Sequence, residues 1–297
     1  MADFVILADS TADLSKELRE QYDIDYVLMG FSDGSREYKA SLDWEEIAPA
    51  DFYAAMKNGT RFTTVQVPMT EFDAKFRSYL EKGMDILYIG CSSALSGSVA
   101  SSYVMRDKLM TEYPGRSIYC VDSLHSGMGQ GTMAIKAAKM RDEGMSIGEI
   151  YAWLDLNRHK FNLCATTAEL AYLKRSGRIK ASSAFFGDIF AVKPIIISDA
   201  EGQNVGIRKV KGRKSSLKEI ADYTVAHIEN PAEQTICIGH AECEADAVTV
   251  KEYLKEALGD VKIELNVIGP IVGASVGPGT VIVYYYGALK SSHIQNN

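Results

Sequence analysis

Short apolar segments alternate with amphipathic segments along most of this 297-residue chain, and this alternation limits its fold more than any other feature. Two parallel strands need a long crossover between them, which is usually a helix, so the pattern is typical of βαβ units around a parallel sheet. The first half follows it closely, with predicted strands at 4–8, 26–31, 85–89 and 117–121 and predicted helices at 13–21, 49–57, 70–82, 98–113, 129–143 and 147–160.

The second half of the chain follows a different pattern. Residues 195–198 and 205–211 flank the turn Asp199-Ala200-Glu201-Gly202, which predicts an antiparallel hairpin rather than a crossover. Helices at 216–229 and 246–258 then alternate with strands at 235–239, 261–267 and 281–286.

The length exceeds what a single core usually serves, and 46% hydrophobic residues are ample for burial. We therefore expect two α/β domains, residues 1–161 and 162–297. The first has a mainly parallel sheet with helices on both faces, and the second is mixed α/β.

The charge balance excludes some classes of partner. The formal net charge is -7, which argues against a general surface for nucleic acid or anionic membrane, because phosphate binding needs clustered cations. Apolar runs fall short of the roughly 20 residues of a membrane span, and the first residues lack the layout of a signal peptide. We expect a cytoplasmic protein with no integral membrane association.

The segment 89–98 carries the clearest chemical signal. A predicted strand ends there in a cluster of hydroxyl groups that begins a helix, and the unpaired N–H groups of a helix start suit a carboxylate or a phosphate. Ser96 is the strongest candidate for ligand contact, because Gly97 lets a ligand approach the backbone and Ser92 and Ser93 add donors.

Two further hydroxyl clusters follow predicted strands, at Asp9-Ser10-Thr11 and Asp122-Ser123. Ligands of parallel sheets bind outside the carboxyl ends of the strands, so both clusters lie where a site is expected. For Ser10 and Ser123 the favoured interpretation is nevertheless helix N-capping, which serine supplies routinely.

Motifs in a fixed order over nearly the whole chain carry a family resemblance. They are Asp9-Ser10-Thr11-Ala12-Asp13-Leu14, a serine-serine-x-leucine-serine-glycine pattern at 92–97, Asp122-Ser123 leading to 126–129, and the segments 173–179, 193–195, 268–273 and 277–279. The chain resembles the DegV family of fatty-acid-binding proteins. The resemblance implies a non-catalytic carrier that holds a long-chain fatty acid between two domains, without a cofactor, for a separate fatty acid kinase that makes the acyl phosphate.

The same resemblance implies roles for individual residues. Thr64 takes the place of a threonine that binds the carboxylate, although its surroundings depart from the family pattern; the alternative is that Thr64 lies in a plain extended connector. Arg178 is a candidate for anion contact or partner docking. Its neighbours Lys174 and Gly177 are explained by the end of a helix.

The largest departure from the family lies in the glycine-rich segment near the C-terminus. Ser275, two residues after the candidate ligand contact Gly273, stands where the family commonly has a histidine. A serine can donate one hydrogen bond but carries no charge. Either the carboxylate is held more weakly, or the ligand differs from a plain fatty acid.

A set of apolar residues is a candidate lining for the acyl tail, although such spacing is also typical of an ordinary core. The set consists of Phe185, Phe186, Ile189, Phe190 and Ile271. The sequence does not indicate chain length or unsaturation.

The alternative function is a serine esterase or thioesterase acting on acyl substrates. Residues 273–277 match glycine-x-serine-x-glycine, but residues 281–286 after them predict a strand, whereas a nucleophile elbow needs a helix there. We therefore expect no catalytic residue in this segment.

One group of residues has a spacing that suggests a metal site. Cys237, His240 and Cys243 supply only three ligands, and Cys237 lies within a predicted strand, so no metal is expected. Like Cys237, the cysteines at 91, 120 and 164 are expected to be small core residues rather than members of disulfides.

Overall fold

The computed structural model describes residues 4–180, 185 and 192–290. The chain divides into two compact units, the first comprising Met1–Glu46 and Thr64–Arg158 and the second comprising Ile47–Thr63 and His159–Asn297. The sequence predicts two domains that are each one continuous segment. In the structure, by contrast, the segment Ile47–Thr63, an excursion from the first half of the chain, belongs to the second unit. A periodic pattern shows that a segment is helical, but it does not identify the core against which the helix packs.

Strands and helices alternate as expected in the first half, except between residues 24 and 39, where three strands follow one another. The strands are β1 (Phe4–Asp9), β2 (Ile24–Val27), β3 (Gly30–Ser32), β4 (Glu37–Lys39), β5 (Thr63–Val65), β6 (Asp85–Gly90), β7 (Ile118–Asp122), β8 (Phe161–Thr166), β9 (Val192–Ser198), β10 (Asn204–Lys211), β11 (Thr235–His240), β12 (Lys262–Val267) and β13 (Val281–Tyr286). The helices are α1 (Lys16–Tyr22), α2 (Pro49–Lys57), α3 (Met69–Leu80), α4 (Ser98–Glu112), α5 (Met128–Asp142), α6 (Ile147–Asn157), α7 (Leu170–Ser176), α8 (Arg213–His227), α9 (Glu244–Leu258) and α10 (Pro270–Val276). Among the described residues, none of these helices combines the length and the apolar character needed to cross a membrane.

The first unit is built on a four-stranded parallel sheet with the order β2-β1-β6-β7. All six residues of β1 are buried, since helices cover the sheet: α5 packs on β1, α3 packs on β6, and α4 and α6 pack on β7. The chain leaves β1 toward β2 on one side and leaves β6 toward β7 on the other. The carboxyl ends of β1 and β6 therefore flank a topological switch point, where sheets of this kind bind ligands.

The predicted strand 26–31 is divided between two sheets, contrary to expectation. β2 ends at Val27, and β3 belongs to a separate three-stranded sheet with the order β4-β3-β5. The break lies at Met29, whose N–H donates to Ser10 Oγ at 2.9 Å and whose carbonyl accepts from Ala40 N–H at 2.9 Å. The apolar pattern runs through this position because Met29 is itself buried.

The second unit contains a six-stranded sheet with the order β10-β9-β8-β13-β11-β12. Among the strand pairs of this sheet within the described residues, β11 and β12 are parallel and the others are antiparallel, so the prediction of a mixed α/β domain is confirmed, as is the antiparallel hairpin of β9 and β10. One face of this sheet packs against α8 and α9. The short helix α10 was not predicted, because its proline, glycine and valine residues disfavour a helix.

Candidate functional site

The loop after β6 leads directly into α4 and is held by backbone hydrogen bonds. Ser92 N–H donates to the His125 carbonyl at 2.8 Å, and Ser96 N–H donates to the Ser92 carbonyl at 3.0 Å. Gly97, which caps α4, has no side chain to bond the first N–H groups, and the first turn of α4 contains no acidic residue. The positive end of this 15-residue helix is therefore not compensated by a carboxylate of its own first turn.

Ser96 is half-buried at this helix start. Its Oγ lies 3.0 Å from Ser98 Oγ and accepts a hydrogen bond from Ser98 N–H at 3.3 Å. A second serine hydroxyl is not a base near neutral pH, so this pair does not resemble an activated nucleophile. The arrangement offers hydroxyl donors beside a positive helix end, which suits anion binding.

The segment that contains Thr64 lies against the same helix start. Gln66 Nε2 donates to Ser101 Oγ at 2.8 Å, and Val67 N–H donates to Ser98 Oγ at 3.2 Å. Thr64 itself is half-buried in β5. The structure thus joins the Thr64 segment and the loop of Ser96 through contacts that neither motif indicated separately.

Gly97 admits the side chain of Gln66. A Cβ atom at Gly97 would clash with Gln66 Oε1, whereas the backbone φ of −76° at this position is open to any residue. The sequence predicts that Gly97 lets a ligand approach, but the group that approaches in the structure is an amide of the same unit.

Ser93 is exposed, and its hydroxyl is already engaged. Its Oγ and its N–H both donate to the carboxylate of Asp122, which also accepts from Leu124 N–H at 3.1 Å. Ser93 therefore connects the loop after β6 to the loop after β7.

The expected N-capping roles of Ser10 and Ser123 are wrong. Ser10 Oγ accepts from Met29 N–H, and Ser123 Oγ accepts from His125 N–H at 3.1 Å within a tight turn. Helix α1 is capped instead by Ser15, and α5 follows Gly127. Serine satisfies turns after strands by the same side-chain-to-backbone bonds that it uses in caps, so residue type alone does not separate the two.

In the second unit, Gly273 lies in α10 with a tyrosine packed against it. A Cβ at Gly273 would lie 2.5 Å from Tyr53 Oη, and this hydroxyl donates to the Ile268 carbonyl at 2.6 Å. Tyr53 is fully buried in α2. The approach of Tyr53 is thus a packing reason for glycine at 273, and Ser275 lies half-buried on the same helix.

The order of elements around Ser275 is helix, turn and strand, since α10 precedes β13. A nucleophile elbow requires the opposite order, a strand followed by a helix. The glycine-x-serine-x-glycine string therefore does not form such an elbow here.

The basic loop after α7 has the predicted helix end. Gly177 adopts a left-handed conformation with φ of 68° and donates to the Leu173 carbonyl at 3.2 Å, while Lys174 lies in the last turn. Arg178 is exposed, and its guanidinium donates to the Ser176 carbonyl at 2.6 Å.

Two of the candidate tail residues can be located. Phe185 lies against Gly206, where a Cβ would clash with its ring, and Ile271 is buried in α10. Phe186, Ile189 and Phe190 lie outside the described residues.

The cysteine and histidine group does not form a metal centre. Cys237 is buried in β11, and Cys243 Sγ lies 3.3 Å from the Thr280 carbonyl oxygen. Within residues 4–180, 185 and 192–290, no three histidine, cysteine or acidic side chains are placed to share a metal ion. Burial raises the pKa of the Cys237 and Cys120 thiols to about 12 and that of Cys243 to about 11.

Comparisons with known proteins agree on one family. The profile of the DegV family, described as a family of uncharacterised proteins, matches residues 3–287. A DegV domain-containing protein of Clostridium perfringens is 37% identical over 290 residues, which cover 98% of this chain and 99% of that relative.

Solved structures with the same fold carry descriptions of a ligand. A DegV family protein from Thermus thermophilus, described by its fatty acid binding, is 28% identical with a TM-score of 0.84, covering 96% of this chain and 99% of its own. DegV from Bacillus subtilis, described as a fatty acid binding protein, is 26% identical with a TM-score of 0.80, covering 96% of this chain and 100% of its own.

Gly273→Ala should destabilise the protein by about 1–3 kcal/mol, because the added Cβ meets the buried Tyr53 hydroxyl. Tyr53→Phe removes that hydroxyl, so the double variant Gly273→Ala/Tyr53→Phe should be more stable than the sum of the single effects implies. Thermal unfolding of the four proteins measures this coupling. Strictly additive effects would contradict the packing role of Gly273.

The thiols of Cys120, Cys237 and Cys243 should resist alkylation in the folded protein at pH 8. With a pKa of about 11, even Cys243 is ionised to only about one part in a thousand at that pH, and the thiolate is the reactive form. Labelling with iodoacetamide followed by mass spectrometry checks this, with the guanidinium-unfolded protein as the control. Rapid labelling of native Cys243 would contradict its raised pKa.

Proposed function

The chain belongs to the DegV family, and from this premise we propose that it binds a long-chain fatty acid and acts as a carrier rather than an enzyme. The observation that carries the proposal is the start of α4, where hydroxyl groups meet a helix end whose own first turn has no acidic residue. The fatty acid binding described for the relatives from Thermus thermophilus and Bacillus subtilis supports the ligand class.

The carboxylate of the acid is proposed to bind at Thr64 and Ser96. Support comes from the contacts of Gln66 and Val67 with the first turn of α4, which hold the Thr64 segment beside the loop of Ser96. A carboxylate here would accept hydrogen bonds from neutral hydroxyls and gain from the helix dipole. Ser93 and Gly97 would shape the loop, since the structure engages them with Asp122 and Gln66.

The proposal also includes Ser275 and Gly273, as the family resemblance implies. In place of the histidine common in the family, Ser275 can donate one neutral hydrogen bond. We expect a plain fatty acid to be held less tightly than a histidine at this position would allow.

The partner in the proposal is a fatty acid kinase, which would phosphorylate the bound acid to an acyl phosphate in the cytoplasm. Arg178 supports this part, because it is an exposed cation next to the glycine-capped end of α7. Such a residue suits either the developing phosphate or the docking of a partner protein.

Ser96→Ala and Thr64→Val should each weaken fatty acid binding by about ten- to a hundredfold, because each removes one hydrogen bond to a charged carboxylate, worth about 1.5–3 kcal/mol. Ser275→His should strengthen it. Titration with a fluorescent fatty acid measures all three, with Ser35→Ala in an exposed turn as the matched control.

Unchanged affinity in both Ser96→Ala and Thr64→Val would show that the acid group binds elsewhere. Turnover of an acyl ester that disappears in Ser96→Ala would instead favour the esterase. Mass spectrometry of lipid extracted from the purified protein tests the ligand class independently, since a carrier should retain a fatty acid in stoichiometric amount.

Arg178→Ala should leave fatty acid affinity and thermal stability nearly unchanged while phosphorylation of the bound acid by the kinase falls. Lys211→Ala is the matched control, because it also removes one exposed positive charge from the second unit. Steady-state phosphorylation rates decide the matter. Equal rates for the wild type and Arg178→Ala would remove the proposed role of this arginine.

A further inference from the structure

Asp9 is fully buried at the carboxyl end of β1, beside the loop that leads to Ser96. We propose that Asp9 is a positioning residue of the head-group site: its carboxylate holds the start of the 91–97 loop and thereby sets the location of Ser96. This inference rests on the proposed function for its ligand, but its geometry can be tested without a ligand.

Four donor groups, from two directions, lie within hydrogen-bond distance of the Asp9 carboxylate. Oδ2 accepts from Cys91 N–H at 2.9 Å and from the Tyr88 hydroxyl at 2.8 Å. Oδ1 accepts from Thr11 N–H at 2.9 Å and lies 2.6 Å from Thr11 Oγ, whose one proton is shared with Gln130 Oε1. One side chain at the end of β1 thus fixes both its own turn and the first residue after β6.

A peptide bond and then a hydrogen bond connect Cys91 to Ser96 along the loop. Ser92 follows Cys91 directly, and the Ser92 carbonyl accepts from Ser96 N–H at 3.0 Å. Ser96 Oγ in turn accepts from Ser98 N–H at 3.3 Å, at the start of α4. Because Cys91 and Ser92 are covalently joined, we expect a displacement of Cys91 to move the Ser92 carbonyl, although Ser92 N–H is also held by the His125 carbonyl.

The chemistry of the carboxylate makes Asp9→Asn an informative change. An asparagine has the same shape but presents an NH₂ group in place of one oxygen, and an NH₂ group cannot accept from an N–H donor. In one orientation it opposes Cys91 N–H, and in the other it opposes Thr11 N–H. Because the site is fully buried, water does not replace the lost acceptor without rearrangement.

Tyr88 offers a matched control, because its hydroxyl bonds the same oxygen of Asp9 that accepts from Cys91 N–H. Removing this hydroxyl takes one donor from Asp9 but leaves the bond between Asp9 and the loop intact. Burial and, next, the Asp9 carboxylate raise the pKa of Tyr88 well above its ordinary value, so the phenol stays protonated and donates. Its ring packs edge-on against Phe72 with centroids 5.2 Å apart. Tyr88→Phe keeps this packing and leaves the bond between Asp9 and Cys91 N–H in place.

A merely structural role for Asp9 predicts a different result from a positioning role. If Asp9 only stabilises the fold, both variants lower the unfolding midpoint, and the affinity of the folded fraction is unchanged. If Asp9 positions Ser96, affinity falls in Asp9→Asn and is retained in Tyr88→Phe under conditions where both proteins are folded.

The experiment titrates wild type, Asp9→Asn and Tyr88→Phe with a fluorescent fatty acid well below their unfolding midpoints. We expect affinity about tenfold or more lower in Asp9→Asn, as for one lost hydrogen bond at the head group, and within about twofold of wild type in Tyr88→Phe. Equal affinities in Asp9→Asn and wild type, or equal losses in the two variants, would overturn the proposal.

Amide NMR spectra of the same proteins provide a readout that needs no ligand. The Cys91 and Ser96 amide signals should shift in Asp9→Asn and remain near their wild-type positions in Tyr88→Phe; an unshifted Ser96 signal in Asp9→Asn refutes the positioning role. If wild type binds no fatty acid, the proposed function fails, while these signals still decide the role of Asp9.

A second variant covers the case in which Asp9→Asn does not fold. Asp9→Glu keeps the charge and moves the oxygens by one methylene group, so it should fold and bind more weakly than wild type. Full wild-type affinity in folded Asp9→Glu would overturn the proposal.

Discussion

A carboxylate buried at the switch point of a parallel sheet must find hydrogen-bond donors, and this requirement organises the first unit. Asp9 meets it with a tyrosine hydroxyl, a threonine and the backbone of Cys91, so that the ends of β1 and β6 are joined. Asp122 connects the ends of β6 and β7 in the same way through Ser93. Two carboxylates thus hold the three loops that follow neighbouring strands.

The carboxylates of Asp9 and Asp122 bond the loop before α4, so their negative charges affect the electrostatic potential at the start of this helix. A negative charge close to an anion site repels the anion, and neutral hydrogen-bond donors reduce this repulsion without removing the charge. The Asp9 oxygens face donors of Tyr88, Thr11 and Cys91, whereas the first turn of α4 has no acidic residue. In the proposed function the positive helix start attracts a fatty acid carboxylate, and no acidic residue of its own first turn opposes this attraction.

The sequence predicted the architecture better than the details of the site. Strand and helix periodicity correctly identified the parallel sheet of the first unit and the hairpin of β9 and β10, because burial imposes these patterns directly. The excursion Ile47–Thr63 and the division at Met29 were missed, since both depend on which partner a segment meets. The predicted roles of Ser10 and Ser123 were wrong for a related reason. A serine hydroxyl satisfies many kinds of turn, and the sequence does not show which backbone group it meets.

The two glycines expected to contact a ligand illustrate how far a motif can be interpreted. A glycine in a motif indicates that some group comes close to the backbone, but not which group. Within their own units, Gly97 admits the amide of Gln66 and Gly273 admits the hydroxyl of Tyr53. Both glycines support neighbouring parts of the protein, so in the proposed function recognition of the acid falls to side chains that can donate. The hydroxyls of Thr64 and Ser96 would then bind the head group directly, while the glycines act through the segments that they allow to pack.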